Sequence, residues 1–199
     1  LLPTASDRLR GALGLPAYVE RADVAARARA EKRSLEDAAH HARYEFFERA
    51  RLELGADVVA LGHTRDDQAE TVLLRLLRGA GARGLAGMHP RHGTIVRPLL
   101  DCRRGELREC LAERGIPYVD DESNLDAAVT RNRVRTELLP LIESRFNPAI
   151  VDALADQAVL SREAWGWMET AADELLARAA DRSSGEIDLA ALADAPTAL

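Results

Sequence analysis

Apolar positions fall into two distinct patterns along this chain. After Ser34, Leu35, Ala39, Ala42, Phe46 and Ala50 recur at three- and four-residue intervals, the stripe of an amphipathic helix. Ser34 sits where an N-cap belongs, Glu36 and Asp37 follow in the first turn, and Gly55 stops the helix. A short continuous apolar run follows at 57–61, containing Val58, Val59 and Ala60, which reads as a buried parallel strand. Asp66 is placed to cap the next helix, whose apolar face is Ala69, Val72, Leu73, Leu76 and Leu77. Helix, strand and helix in that order predict an open α/β sheet.

The outer segments are read the same way. Residues 7–13 end a helix closed by Gly14, and 17–20 form a short strand. Gly79, Gly81, Gly84 and Gly87 break the pattern into a loop. Residues 94–97 are a strand ended by Pro98, 104–114 a helix stopped by Gly115, and 116–119 another strand before the acidic loop 120–124. A helix begins near Arg131 and is interrupted at Pro140, which opens a further helical turn. Residues 148–180 read as one long helix with Val151, Leu154, Ala158 and Trp165 on one side. A linker at 182–185 leads into another unit.

Composition narrows the class. Of 199 residues, 47% are hydrophobic and 30% charged, the balance of a soluble protein. No apolar run reaches the roughly 18 residues of a membrane helix. Nor is there a signal peptide, so a cytoplasmic location is expected. Cys102 and Cys110 lie eight apart, which suits neither a metal pair nor a redox pair, and they read as reduced thiols. The net charge of −6 argues against a nucleic-acid binder. Its distribution argues otherwise: between residues 75 and 110, eight arginines stand against Asp101, Glu106 and Glu109, a surplus suited to phosphate.

His63, Asp67 and Glu70 stand where the strand ends and the next helix begins, the place where open α/β sheets bind ligands. Asp67 and Glu70 are three apart and share a helix face. Such a pair can hold an ammonium group, bind Mg²⁺ or accept a proton. Helix capping would use Asp66 and Asp67 but leave Glu70 unexplained. Arg43 and Tyr44 lie on the exposed side of the preceding helix, while adjacent His40 and His41 point apart and make a poor metal pair. Arg78-Gly79-Ala80-Gly81-Ala82-Arg83-Gly84 reads either as an anion-binding loop or as flexible punctuation. Arg131, Arg133 and Arg135 open a helix, where cations oppose the dipole, and this placement points to an anionic partner.

Several blocks occur in a telling order: Ser34-Leu35-Glu36 with Arg43-Tyr44; Gly62-His63 with Asp66-Asp67-Gln68-Ala69-Glu70-Thr71; Arg78-Gly79 to Gly84-Leu85-Ala86-Gly87-Met88; Arg97-Pro98-Leu99-Leu100; Asp121 with Ser123-Asn124; Arg131-Asn132 with Arg135; and Leu139-Pro140. Together they resemble the tRNA-isoleucine lysidine synthetases, a family of PP-loop ATP pyrophosphatases. The resemblance implies a Rossmann-like parallel sheet of the adenine nucleotide alpha hydrolase type over residues 1–146, incomplete at its N-terminus. A helical linker over 147–182 and the start of a truncated substrate domain over 183–199 would follow.

The implied reaction is ligation of free L-lysine to the wobble cytidine of tRNA-Ile with a CAU anticodon. ATP adenylates the cytidine through its oxygen, and the lysine amine displaces AMP; pyrophosphate is the other product. On that resemblance Asp67 and Glu70 handle the lysine amine, and Arg43 and Arg135 neutralise charge as AMP leaves. Gly62 and His63 contact the nucleotide. Arg78, Arg83, Arg131, Asn132 and Arg133 face tRNA or phosphate. Mg²⁺ accompanies ATP with its protein ligands unassigned, and a homodimer is a family expectation.

The chain departs from the family in two places. The family's Ser-Gly-Gly-x-Asp-Ser loop occurs nowhere in it, so these residues alone are expected to bind ATP poorly and to catalyse little. His40 stands where many relatives carry Arg. Two alternatives compete: a non-catalytic tRNA-binding relative, and a PP-loop tRNA thiolase, which the spacing of Cys102 and Cys110 disfavours.

Overall fold

Three short strands organise the middle of the chain in a computed structural model that describes residues 14, 18–118, 130–180, 184, 186–192 and 195–196. β1 (Val59–Ala60), β2 (Arg91–His92) and β3 (Ile95–Val96) form one sheet in the order β1-β3-β2. β1 and β3 run parallel, with Val59 opposite Ile95. β2 and β3 are antiparallel, joined by a two-residue turn in which Gly93 takes φ +57°. The parallel pairing expected from the sequence is present between β1 and β3, and the antiparallel β2 makes the small sheet mixed. A glycine at positive φ favours the tight hairpin, and its turn twist matches that of the strands. β1 has no second strand beside it among the described residues, and Val58 and Ala60 are exposed, so the apolar run is not buried as its composition suggested.

Helices supply most of the structure: α1 (Val24–Glu31), α2 (Leu35–Glu53), α3 (Arg65–Leu77), α4 (Ala82–Leu85), α5 (Arg104–Glu113), α6 (Thr130–Arg133), α7 (Leu139–Arg145), α8 (Ile150–Ala179) and α9 (Leu189–Leu192). Ser34 caps α2 as its sequence predicts, its hydroxyl accepting the Asp37 N–H at 3.1 Å. Leu35 is nevertheless exposed, because α2 packs mainly on α1 and buries only Ala38 fully. Part of the glycine-rich loop is helical, as α4. Tyr18–Glu20 and Ile116–Tyr118 adopt no strand. Residues 7–13, Ala17, Val119, the acidic loop 120–124 and most of the linker 182–185 lie outside the described residues.

The core forms where α3 meets α8 and the segment between α6 and α7. Ala69, Leu73 and Leu74 of α3 pack with Val134, Leu139 and Val151. With neighbours on two sides of α3, burial spreads over consecutive Val72, Leu73 and Leu74. Leu76 and Leu77 in its last turn are exposed, unlike the single apolar face expected from the sequence. Residues Val134–Leu138 form a π-helical turn between α6 and α7. Pro140 comes two residues after its end; it cannot donate to the carbonyl four residues back and its ring crowds that carbonyl, a conflict that a widened turn relieves.

Candidate functional site

The N-terminus of α3 is built by Thr64, not by Asp66. Thr64 is the N-cap, and the Asp67 carboxylate accepts both the Thr64 N–H and its hydroxyl, each at 2.8 Å. This reciprocal box satisfies donors that would otherwise be orphaned at a helix start. It leaves Asp66 free to accept the Arg104 N–H at 2.7 Å, so Asp66 caps α5 instead. One helix start thus anchors the next, and Arg104 is carried toward the carboxylates of α3.

Three guanidiniums converge on those carboxylates. Glu70 is 1% exposed and accepts Arg135 at 2.6 and 2.9 Å, Arg131 at 2.9 Å and Arg104 at 3.2 Å. The second Asp67 oxygen accepts Arg104 and Arg135 at 3.1 Å and Arg131 at 3.4 Å. Burial pushes the Asp67 carboxyl upward, but the Thr64 donors, with Arg104 and Arg131, outweigh it and hold its pKa below the usual value. Hydrogen bonding to Glu70 raises the Arg135 pKa against its own desolvation. The cations at the start of the helix from Arg131 therefore have anionic partners inside the protein, where the sequence pattern suggested a bound anion.

Beside this cluster lies a cavity of about 500 Å³ at the carboxyl end of β1. Its wall includes Leu61, Gly62 and His63 from the strand end, His40, Arg43 and Tyr44 from α2, and Arg75, Arg97 and Arg131. Among the described residues, four arginines and no carboxylate line it. His40 stacks on Tyr44 with ring centroids 4.2 Å apart. Arg97 donates to His63 Nδ1 at 3.2 Å, to the His89 carbonyl at 2.7 Å and to the Tyr44 hydroxyl at 3.3 Å. Burial lowers the His63 pKa most; Asp67 works against this, and Arg97, Arg131 and Arg43 add to it.

The glycine-rich segment closes the wall. Gln68 clamps Met88 from both sides, accepting its N–H at 2.7 Å and donating to its carbonyl at 2.9 Å. Arg75 donates to the carbonyls of Gly84 and Gly87 at 2.8 and 2.9 Å, and Arg162 of α8 donates to that of Met88 at 2.9 Å. Gly87 takes φ +62°, and a Cβ there would come within 2.7 Å of the Gln68 side chain. The segment is a fixed wall held by side chains from α3 and α8, not loose punctuation.

The residues singled out in the sequence therefore divide. Asp67, Glu70, Arg131 and Arg135 meet in one cluster, and Gly62, His63, Arg43 and Arg131 line the cavity beside it. Arg131 belongs to both. Asn132 is buried, and Arg133 is exposed, with Glu137 at 3.9 Å. Arg78 is exposed at the end of α3, and Arg83 lies over the Trp165 ring, 5.9 Å from its centroid; neither lines the cavity. Sequence reasoning gave no site role to Arg104, Arg97, Arg75, Gln68 and Thr64, although Arg97 and Gln68 stand in the ordered motif blocks. The arginine surplus from 75 to 110 contained the first three, and Thr-x-x-Asp at 64–67 was the visible sign of the capping box.

The chemistry of these walls suits a polyanion with a stackable ring. No group of three acidic, histidine or cysteine side chains that could hold a metal occurs among the described residues, and both central carboxylates are engaged by arginine.

Comparison with known proteins defines the class: the PP-loop domain family matches residues 4–142, and the chain belongs to that family. Within it, the chain is 46% identical over 156 residues to the tRNA(Ile)-lysidine synthase of Geobacter sulfurreducens, a match covering 73% of this chain and 33% of that protein. It is 44% identical over 164 residues to the enzymes of the same name from Thermobifida fusca and Thermus thermophilus, covering 82% of this chain and 50% and 32% of theirs. The chain thus spans between about a third and a half of these relatives.

Proposed function

We propose that these residues belong to an enzyme that uses ATP to ligate L-lysine to the wobble cytidine of tRNA-Ile with a CAU anticodon, releasing AMP and pyrophosphate. The observation that carries this reading is the arginine-lined cavity at the end of β1, adjoining the Asp67 and Glu70 carboxylates, in a chain similar to tRNA(Ile)-lysidine synthases.

The cavity takes the phosphate-bearing part of ATP or the adenylated intermediate, with Arg43 neutralising charge as AMP leaves. Arg135 acts from the carboxylate cluster, and Arg131 spans both. Thr64 and the arginines hold Asp67 ionised, and an ionised carboxylate attracts the lysine ammonium once an arginine yields its place. A lowered pKa makes Asp67 a better anchor for that ammonium than a store for its proton. Exposed Arg78 and Arg133 supply tRNA contacts.

Lysine transfer tests the reading. Labelled lysine should enter tRNA-Ile in an ATP-dependent manner, and Asp67→Asn should abolish that transfer while leaving tRNA binding within a few-fold. Normal lysidine formation by the variant would remove Asp67 from the lysine site. Absence of ATP-dependent incorporation by a wild-type enzyme that carries the family's Ser-Gly-Gly-x-Asp-Ser loop would remove the function itself.

A further inference from the structure

One guanidinium, that of Arg97, ties together three parts of the cavity wall: the end of β1 through His63, α2 through Tyr44, and the segment after Met88 through the His89 carbonyl. Gln68 holds Met88 in place from α3, so the His89 acceptor is itself on fixed backbone. A guanidinium has five N–H donors and no acceptor. His63 Nδ1 must therefore offer a lone pair to Arg97, and the ring proton must sit on Nε2.

We propose that Arg97 is a positioning residue that fixes His63 as a neutral Nε2–H donor for a phosphate-bearing ligand of the cavity. A second proton on Nδ1 would point at the Arg97 N–H and break the contact. Among the described residues, the charged groups that act most on the ring are Asp67 from α3, Arg131 from α6, Arg43 from α2 and Arg97 itself. Three of these four are cations, and with burial they oppose a charged imidazole. His63 thus adds a hydrogen bond to the cavity while Arg43, Arg75, Arg97 and Arg131 supply its charge. The identity of the ligand rests on the nucleotide reading above; the tautomer does not.

Nitrogen-15 NMR of the histidine ring in the ligand-free chain is the test. At pH 7.5, His63 should show the Nε2–H tautomer, and its titration should fall below the ordinary histidine value of about 6.5. Arg97→Met should give mixed tautomers and move the titration upward, because a cation is lost beside the ring. Arg97→Lys should restore much of the Nε2–H form. A wild-type ring protonated on Nδ1 overturns the proposal even if no variant folds, as does an Arg97→Met ring with unchanged tautomer and titration. ATP is then added: the Nε2 resonance of the wild type should shift, and Arg97→Met should weaken ATP binding roughly tenfold, the loss of one good polar contact. The expected tautomer with no response to ATP, in a protein that also carries the family's Ser-Gly-Gly-x-Asp-Ser loop, would leave the positioning role standing and count against the nucleotide reading.

Discussion

Replacing Glu70 by Gln probes the centre of the site with almost no change of shape. Among the described residues two carboxylates face three guanidiniums, and the substitution removes one of the two negative charges. One carboxylate oxygen becomes an NH₂ whose hydrogens confront guanidinium donors. Glu70 is 1% exposed, and solvent cannot replace what is lost around it. Removing one partner of a buried pair costs about 3–5 kcal/mol. The arginine side chains are 23–32% exposed and regain some water, so the lower end applies, about 3 kcal/mol. For a chain of this size that is a fall in Tm of roughly 6–12 °C. Thermal unfolding followed by circular dichroism measures it. Adding Arg135→Met to Glu70→Gln should cost far less than Arg135→Met alone, since it also relieves the excess charge. A Tm within about 2 °C of wild type, or simple additivity of the two changes, would refute the account of Glu70 as the hub of the cluster.

Other perturbations test neighbouring parts. Asp67 has a folded pKa below its unfolded value of about 3.9, so its stabilisation is complete above that value and is lost as pH falls through the folded pKa. Asp67→Asn should therefore flatten the acid limb of a stability–pH profile measured by urea unfolding, and an unchanged limb would contradict the capping box. Gly87→Ala combines positive φ with a clash on the Gln68 clamp, and should lower stability by about 1–3 kcal/mol in denaturant titration. Binding of tRNA should weaken steeply with salt, in proportion to the phosphates neutralised, and Arg133→Gln should reduce the slope of log K against log salt by about one. Binding indifferent to salt would exclude the arginine surface from the interaction.

Local chemistry made the elements legible. Ser34 reads as a cap because its hydroxyl reaches a backbone N–H three residues on, and Gly55 and Gly115 read as stops because both take positive φ. The pair Asp67 and Glu70 was visible because helical spacing places residues three apart on one face. The hairpin of β2 and β3 was harder to see: two-residue strands carry too little pattern, and only Gly93 marked the turn. Asp66 misled because an acidic residue at a helix start looks like its cap, whereas Thr64 filled that role and released Asp66 to α5.

The sequence by itself determined where helices start and stop, which residues could carry charge chemistry, and the family to which their order belongs. Those properties depend on neighbours within a few positions or on the linear succession of motifs. Only the tertiary structure decided which charges meet. Arg104, Arg131 and Arg135 lie 34, 61 and 65 residues from Glu70, and no periodicity connects them. Their convergence follows from the packing of α3 against the segment that carries Arg131 and Arg135, and from the Asp66 cap that holds the start of α5. The fold likewise separated Arg131 and Arg97, which line the cavity, from Arg78 and Arg83, which do not. Electrostatic partnership depends on distance and burial in three dimensions, and the linear order of residues encodes neither directly.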